Sequence, residues 1–178
     1  VNRRNAANAA LAFLIGILLT TTAEAGFFVG AGVSNSSYDY SDLDNSSGYK
    51  IFAGYYAESG VFVEAATVNL GETDADGAPA GFEAGGLAAY VGYRGEPPSG
   101  GFGFFGKIGA YSFDTDLIVS GTTIATESSS GLAWALGISY AFNANVAVRG
   151  EIEQFVGVED FATDESITGG SVSIEFRF

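Results

Sequence analysis

The sequence predicts an all-β fold, a closed antiparallel barrel of eight strands that crosses a membrane. Between Gly26 and Phe178, apolar residues alternate with small or polar ones in eight successive stretches, each ending in polar or turn-forming residues. A period of two puts each set on its own side of a sheet. One side carries Trp, Tyr, Phe, Ile and Val, and the other mainly Gly, Ala, Ser and charges. A soluble barrel would hold its large residues inside, so this distribution makes lipid the solvent of the outer face. The connections also alternate between short turns and long loops, as they do in membrane barrels.

The first strand is expected from Phe27 to Ser34, with Val29, Ala31 and Val33 outward. The second, Tyr49 to Tyr56, sets Tyr49, Ile51, Ala53 and Tyr55 against Lys50, Phe52 and Gly54. Glu58-Ser59-Gly60 turns the chain into the third, Val61 to Leu70, whose two faces are almost equally apolar. There Glu64 is assigned inward, because an ionised side chain in hydrocarbon is costly. The fourth strand covers Ala84 to Arg94, with Leu87, Ala89, Val91 and Tyr93 outward. A cluster of chain breakers, Gly95 to Gly101, precedes the fifth, Phe102 to Phe113. The sixth, Leu132 to Phe142, has the strongest outward face: Leu132, Trp134, Leu136, Ile138, Tyr140 and Phe142. Asn143-Ala144-Asn145 leads to the seventh, Val146 to Val156, and the eighth ends at Phe178. Outward aromatic residues near strand ends (Tyr55, Tyr93, Trp134, Tyr140, Phe142 and Phe176) read as a girdle at the membrane interfaces. Glycine density and β-branched content exclude helices for most segments.

Residues 1–25 read as a separate unit. Arg3 and Arg4 form a basic start, Ala9 to Leu19 an apolar core, and Ala23-Glu24-Ala25 an A-x-A cleavage site, the order of a secretory signal peptide. A membrane anchor is the competing reading, but the apolar run is shorter than the roughly 20 residues a spanning helix needs. Residues 26–178 are then a single barrel domain, without cysteine and so without a disulfide framework despite export. The chain also has no histidine. Ser-His-Asp and Cys-His arrangements and ordinary zinc sites are thereby removed, and neither enzymatic activity, a cofactor nor a metal centre is expected.

Residues 26–178 contain twenty acids and five bases, a net charge of −15. Fourteen acids fall in the long connections: Asp39, Asp42, Asp44, Glu72, Asp74, Asp76, Glu83, Asp114, Asp116, Glu127, Glu159, Asp160, Asp164 and Glu165. Lys50, Lys107, Arg149 and Arg177 have inward parity, as do Glu64, Glu151, Glu153 and Glu175, while Arg94 sits at a strand end. An eight-stranded barrel is just wide enough for side chains to fill it. These eight charges are therefore expected to form an interior salt-bridge network that plugs the lumen, although a narrow water path lined by them is the alternative. The outer acids read as a solvated surface or as sites for divalent cations bridging lipopolysaccharide phosphates. Such an exterior repels nucleic acid.

Two motifs carry less than their spacing offers. Gly101-Phe102-Gly103-Phe104-Phe105-Gly106 matches G-x-G-x-x-G but lies in a strand pattern, where glycines leaving interior space account for it better than a dinucleotide site. Glu151 and Glu153 share one face as paired catalytic carboxylates would, but beside Arg149 they read as ion-pair partners.

The opening Gly26-Phe27-Phe28-Val29-Gly30-Ala31-Gly32, the Gly-Tyr pairs at Gly54-Tyr55 and Gly92-Tyr93, and the ending Ser171 to Phe178 resemble the small eight-stranded outer-membrane barrels of the OmpA-like and OmpX-like kind. The resemblance implies an integral outer-membrane protein of a Gram-negative bacterium with a structural or adhesin-like surface role. It also implies that Phe178, Phe176 and Ile174 form the signal read by the outer-membrane assembly machinery. Outer-membrane lipid and lipopolysaccharide are the implied surroundings, and a monomer is expected. No peptidoglycan-binding segment follows the barrel in this sequence, so cell-wall tethering is not implied. Two rival readings stay open: a small pore or carrier for small or hydrophobic solutes, and a soluble periplasmic ligand-binding barrel with Trp134 and Ile138 turned inward.

Overall fold

Alternation carries through to the backbone. In the computed structural model, which describes residues 26–38, 46–74, 80–95, 101–119, 122–159 and 164–178, eight strands follow one another in chain order. They are β1 (Phe27–Tyr38), β2 (Ser46–Tyr56), β3 (Val61–Asp74), β4 (Ala80–Gly95), β5 (Gly101–Val119), β6 (Thr122–Ala141), β7 (Val146–Glu159) and β8 (Asp164–Arg177). Each pairs antiparallel with its neighbour in sequence, and β8 pairs with β1 from Phe28↔Arg177 to Tyr38↔Ile167. The sheet is a closed barrel without a free edge through its wall, as spanning strands require where no water can satisfy the backbone. The segment read as a signal peptide lies outside the described residues.

The large outward residues face away from the lumen. Val33, Leu87, Ile108, Leu136, Ile138, Ile152 and Val172 are exposed, and Trp134 is 39% exposed, so the rival arrangement with Trp134 and Ile138 around a cavity is not the one adopted. Tyr55, Tyr93, Tyr140, Phe142 and Phe176 gather at the end of the barrel that carries the short turns, joined by Phe102, whose ring meets that of Tyr140 edge-on at a centroid distance of 4.9 Å. Trp134 lies six residues further along β6, toward the opposite end.

Short turns close one end. Gly60, at φ +86°, completes the β2–β3 turn with a hydrogen bond from its N–H to the Ala57 carbonyl. The Asn143 side chain accepts hydrogen bonds from the backbone of Asn145 and Val146 at 2.8 and 2.9 Å, fixing the β6–β7 turn.

At the other end the strands run further than the sequence pattern implied. β5 continues to Val119 and β6 begins at Thr122, so nine of the fourteen acids expected in loops (Glu72, Asp74, Glu83, Asp114, Asp116, Glu127, Glu159, Asp164 and Glu165) lie on strands. The other five lie outside the described residues. Polar composition made 114–131 look like a loop, but its Thr, Ile, Leu and Val content favours strands. Cross-strand bonds add to this: Ser128 donates to Asp114 and Thr126 to Asp116, both at 2.6 Å.

The lumen is also more aromatic than the sequence pattern implied. Phe28, Phe52, Phe62, Tyr90, Phe105, Tyr111, Phe113 and Phe155 all point inward and are buried. Glycines on neighbouring strands make room for them. A Cβ on Gly30 would sit 2.2 Å from the Phe52 ring, one on Gly54 2.4 Å from Phe28, and one on Gly137 2.2 Å from Phe105. Of the glycines in the G-x-G-x-x-G stretch, Gly103 is buried, whereas a Cβ on Gly106 would meet the outward Leu136 side chain. The interior-space account therefore does not extend to Gly106.

Candidate functional site

The inward side chains form three layers along the barrel axis. Nearest the short turns, the rings of Phe28, Tyr56, Phe62 and Phe105 surround the Arg94 guanidinium, with centroids 5.6–5.8 Å from its carbon. Nearest the extended strands, Tyr111, Phe113 and Phe155 pack ring to ring at 4.7–5.3 Å, with Val68, Leu70 and Ile167 in the same apolar cluster. The charges lie between.

Strand parity positions each charged group. Lys50 projects from β2, Glu64 from β3, Lys107 from β5, Arg149, Glu151 and Glu153 from β7, and Glu175 and Arg177 from β8. Glu64 accepts from Lys107 Nζ at 2.7 Å and from Arg149 Nη1 at 2.8 Å. Glu151 lies 2.5 Å from Lys50 Nζ, 3.1 Å from Lys107 Nζ and 3.2 Å from Arg149 Nη2. Glu153 accepts from Lys50 at 2.9 Å. Arg149 then bridges to Glu175 at 3.1 Å, and Arg177 Nε reaches the same carboxylate at 2.7 Å. All eight residues thus fall in one connected, buried set.

Arg94 joins them and was not among the interior residues the sequence pattern named. Its Nη1 and Nη2 grip Glu175 at 2.7 and 2.8 Å, a bidentate fork. Parity would have found it, since Arg94 has the inward phase of Tyr90 and Gly92, but its place at the strand end kept it out of the set of eight. With Arg94 the lumen holds five cations against four carboxylates. Those five are every Lys and Arg of residues 26–178.

Aromatic rings complete the coordination. The Arg149 guanidinium is 4.4 Å from the centroids of both Phe52 and Phe105, and Lys107 Nζ is 4.2 Å from that of Tyr90. Ring faces attract cations more strongly where water is excluded. The excess positive charge is therefore spread over π-systems as well as carboxylates. Such a layer cannot pass solute without breaking several buried ion pairs at once, each costly to leave half-made. Between Lys50, Glu153, Phe155 and Ser36 there is a cavity of only ≈ 10 Å³, about the size of one water. Among the described residues no group of acids is arranged to hold a metal ion.

The family model for the outer membrane protein beta-barrel domain matches residues 7–178. Among curated proteins, none matches the chain by sequence. Among solved structures, the fold is similar to Neisserial surface protein A, at 18% identity and TM-score 0.69 over 85% of this chain and 97% of that one. It is similar to the amino-terminal barrel of Pseudomonas aeruginosa OprF at 14% identity and TM-score 0.62, over 87% of this chain and all of the other. It also resembles Ail, the attachment invasion locus protein of Yersinia pestis, solved with the heparin analogue sucrose octasulfate. There the identity is 14% and the TM-score 0.56, over 86% of this chain and 97% of that one.

Proposed function

The chain belongs to the outer membrane protein β-barrel domain family, and from that premise we propose that it is a sealed, non-enzymatic barrel whose work is done at its outer surface. The observation that carries this reading is the filling of the lumen: a layer of buried, paired charges enclosed by two apolar layers. Nothing in such an interior offers a solute a path. In this reading residues 1–25 direct export and are removed, and the barrel sits in the outer membrane of a Gram-negative cell as a monomer. The short turns face the periplasm and the extended acidic strands face outward. Ile174, Phe176 and Phe178, on the outer face of the last strand, present themselves to the assembly machinery.

The charge of that surface narrows its partners. Ail was solved with a sulfated heparin analogue, and a polyanion of that kind needs exposed bases. Here every Lys and Arg of the barrel is buried in the lumen and the outer end carries acids alone. The surface therefore suits cationic partners, including Ca²⁺ or Mg²⁺ held between its carboxylates and lipopolysaccharide phosphate. A melting temperature unmoved by millimolar calcium would remove the divalent cations from the account.

The test is conductance across a planar bilayer, together with swelling of proteoliposomes in sugars and amino acids. A sealed barrel gives neither stepwise current nor swelling above protein-free controls. Reproducible unitary steps would replace this reading with a small pore.

A further inference from the structure

The lipid-facing wall is not evenly covered. One rung of outward residues runs Phe104↔Ile138↔Gly150↔Val172↔Val33 across β5, β6, β7, β8 and β1. The next runs Gly106↔Leu136↔Ile152↔Gly170↔Asn35. Gly150 stands between Ile138 and Val172, and Gly170 between Ile152 and Asn35. The two glycines occupy adjacent strands and adjacent rungs, so their missing side chains merge into one depression. It is an open groove of ≈ 1010 Å³, walled by Phe104, Leu136, Ile138, Ile152, Val172 and Val33. Pockets that enclose small ligands span about 300–1,000 Å³.

Neither glycine serves the barrel itself. A Cβ on Gly170 would meet nothing within 4 Å, and one on Gly150 only Ile138 Cγ1 at 3.9 Å. This separates them from Gly30, Gly54 and Gly137, which make room for lumen rings. Neither has a positive φ, and the β7–β8 register is regular from Val146↔Phe176 to Phe155↔Ile167. A glycine inside a strand weakens it and marks a bulge, a tight bend or the close approach of a ligand. Here no bulge accounts for either, and close approach remains.

The groove is also amphipathic along its length. Asn35 and Ser47 line it on the side away from the short turns. One rung further out, Ser37 donates to the Thr168 carbonyl at 3.4 Å and Gln154 to the Ser166 hydroxyl at 3.2 Å. That rim is uncharged: Glu151, the one charged residue of the lining, points into the lumen and pairs with Lys50.

We propose that this groove binds a single membrane lipid, with one acyl chain lying over Gly150 and Gly170 and the ester or hydroxyl groups meeting Asn35 and Ser47. The orientation proposed above makes the outer leaflet its source; the site itself does not depend on the sealed lumen. Hydrocarbon surrounds this wall in any case, so affinity comes from close packing and not from leaving water. A flexible chain can fill such a depression, whereas a second barrel would offer it only a convex wall. No base of residues 26–178 lies outside the lumen, so head-group phosphate does not select the lipid.

Trp134, the only tryptophan, reports on the site: it precedes Leu136 on the outer face of β6 and pairs with Gln154. The barrel in detergent micelles is titrated with dibrominated phosphatidylcholine, whose bromines quench tryptophan on contact, and native mass spectrometry counts the lipids retained. Quenching should saturate at one lipid per barrel, with one adduct kept. Gly170→Leu should weaken that binding, and Gly150→Leu/Gly170→Leu should weaken it by about tenfold or more, both with a urea midpoint unchanged or raised. Ala89→Leu, outward on β4, should leave it unchanged, and dibrominated phosphatidylglycerol should bind as the phosphatidylcholine does. Quenching that rises without a plateau would overturn the proposal, since ordinary lipid contact would explain it. Equal saturation in the double variant, affinity that follows head-group charge, or a dimer retained in place of the lipid adduct would overturn it as well. A stepwise current in the bilayer test would instead defeat the sealed-barrel reading and leave the lipid result standing.

Discussion

Removing Arg149 is the sharpest perturbation of the lumen. The side chain is 1% exposed, touches Glu64, Glu151 and Glu175, and lies between the Phe52 and Phe105 rings. Breaking a buried ion pair by deleting one partner costs about 3–5 kcal/mol. Here each carboxylate keeps another cation: Glu64 keeps Lys107, Glu151 keeps Lys50 and Lys107, and Glu175 keeps Arg94 and Arg177. That places Arg149→Ala at the lower end, near 3 kcal/mol, with the emptied space between two rings as a further cost. Arg149→Met fills part of that space and leaves four cations against four carboxylates, so a smaller loss of about 1–2 kcal/mol is expected. The assay is urea unfolding in lipid vesicles, read by the fluorescence of Trp134, the only tryptophan of the chain. Pairing with Glu64→Gln in a double-mutant cycle isolates the Arg149–Glu64 interaction, which should exceed about 0.5 kcal/mol for groups in one network. An unchanged unfolding midpoint for Arg149→Ala would refute the reasoning.

Ile138→Lys places a charge on the lipid face of β6 and should cost about 2–4 kcal/mol near the midplane; unaltered stability in lipid would mean that strand six is in the wrong phase. Gly137→Ala drives a methyl into the Phe105 ring and the Gly150 carbonyl, an overpacking expected to cost about 1–3 kcal/mol. Adding Phe105→Ala should make the Gly137→Ala change nearly neutral, and a penalty that persists would trace to the backbone contact alone. Deleting Phe178 should lower the yield of assembled barrel in the outer membrane while leaving the urea midpoint of the assembled fraction unchanged. Normal yield would remove the terminal residues from the assembly signal.

Much of the fold was legible because lipid enforces period two strictly. Leu132, Trp134, Leu136, Ile138 and Tyr140 alternate without a break, and a single-residue slip would put Ala133 and Ala135 in hydrocarbon instead. Strand three was harder to read: Phe62, Val68 and Leu70 are as apolar as Val61 and Val63 because they pack in the lumen against other side chains. Only the charge of Glu64 separates the two faces. The far ends of β5 and β6 escaped because hydrophobic alternation stops where lipid does, while hydrogen bonding between the strands does not. Which charges meet was not legible either. The Arg149–Glu64 contact joins residues 85 apart in sequence, and their meeting depends on the stagger with which the barrel closes. Arg94 shows the same limit, since its grip on Glu175 crosses the lumen from β4 to β8.

Thiol accessibility inside the lumen tests the sealed interior most directly. The chain has no native cysteine, so Ala135→Cys places a single thiol where the side chain is now 1% exposed, and Thr126→Cys supplies an exposed control. Both are treated, in intact vesicles, with a membrane-impermeant cationic methanethiosulfonate. The account expects rapid labelling of Thr126→Cys and no labelling of Ala135→Cys until the barrel is unfolded. Labelling of Ala135→Cys in the folded protein, at a rate comparable to the control, would mean that water and solute reach the charged layer, and the lumen would be a path.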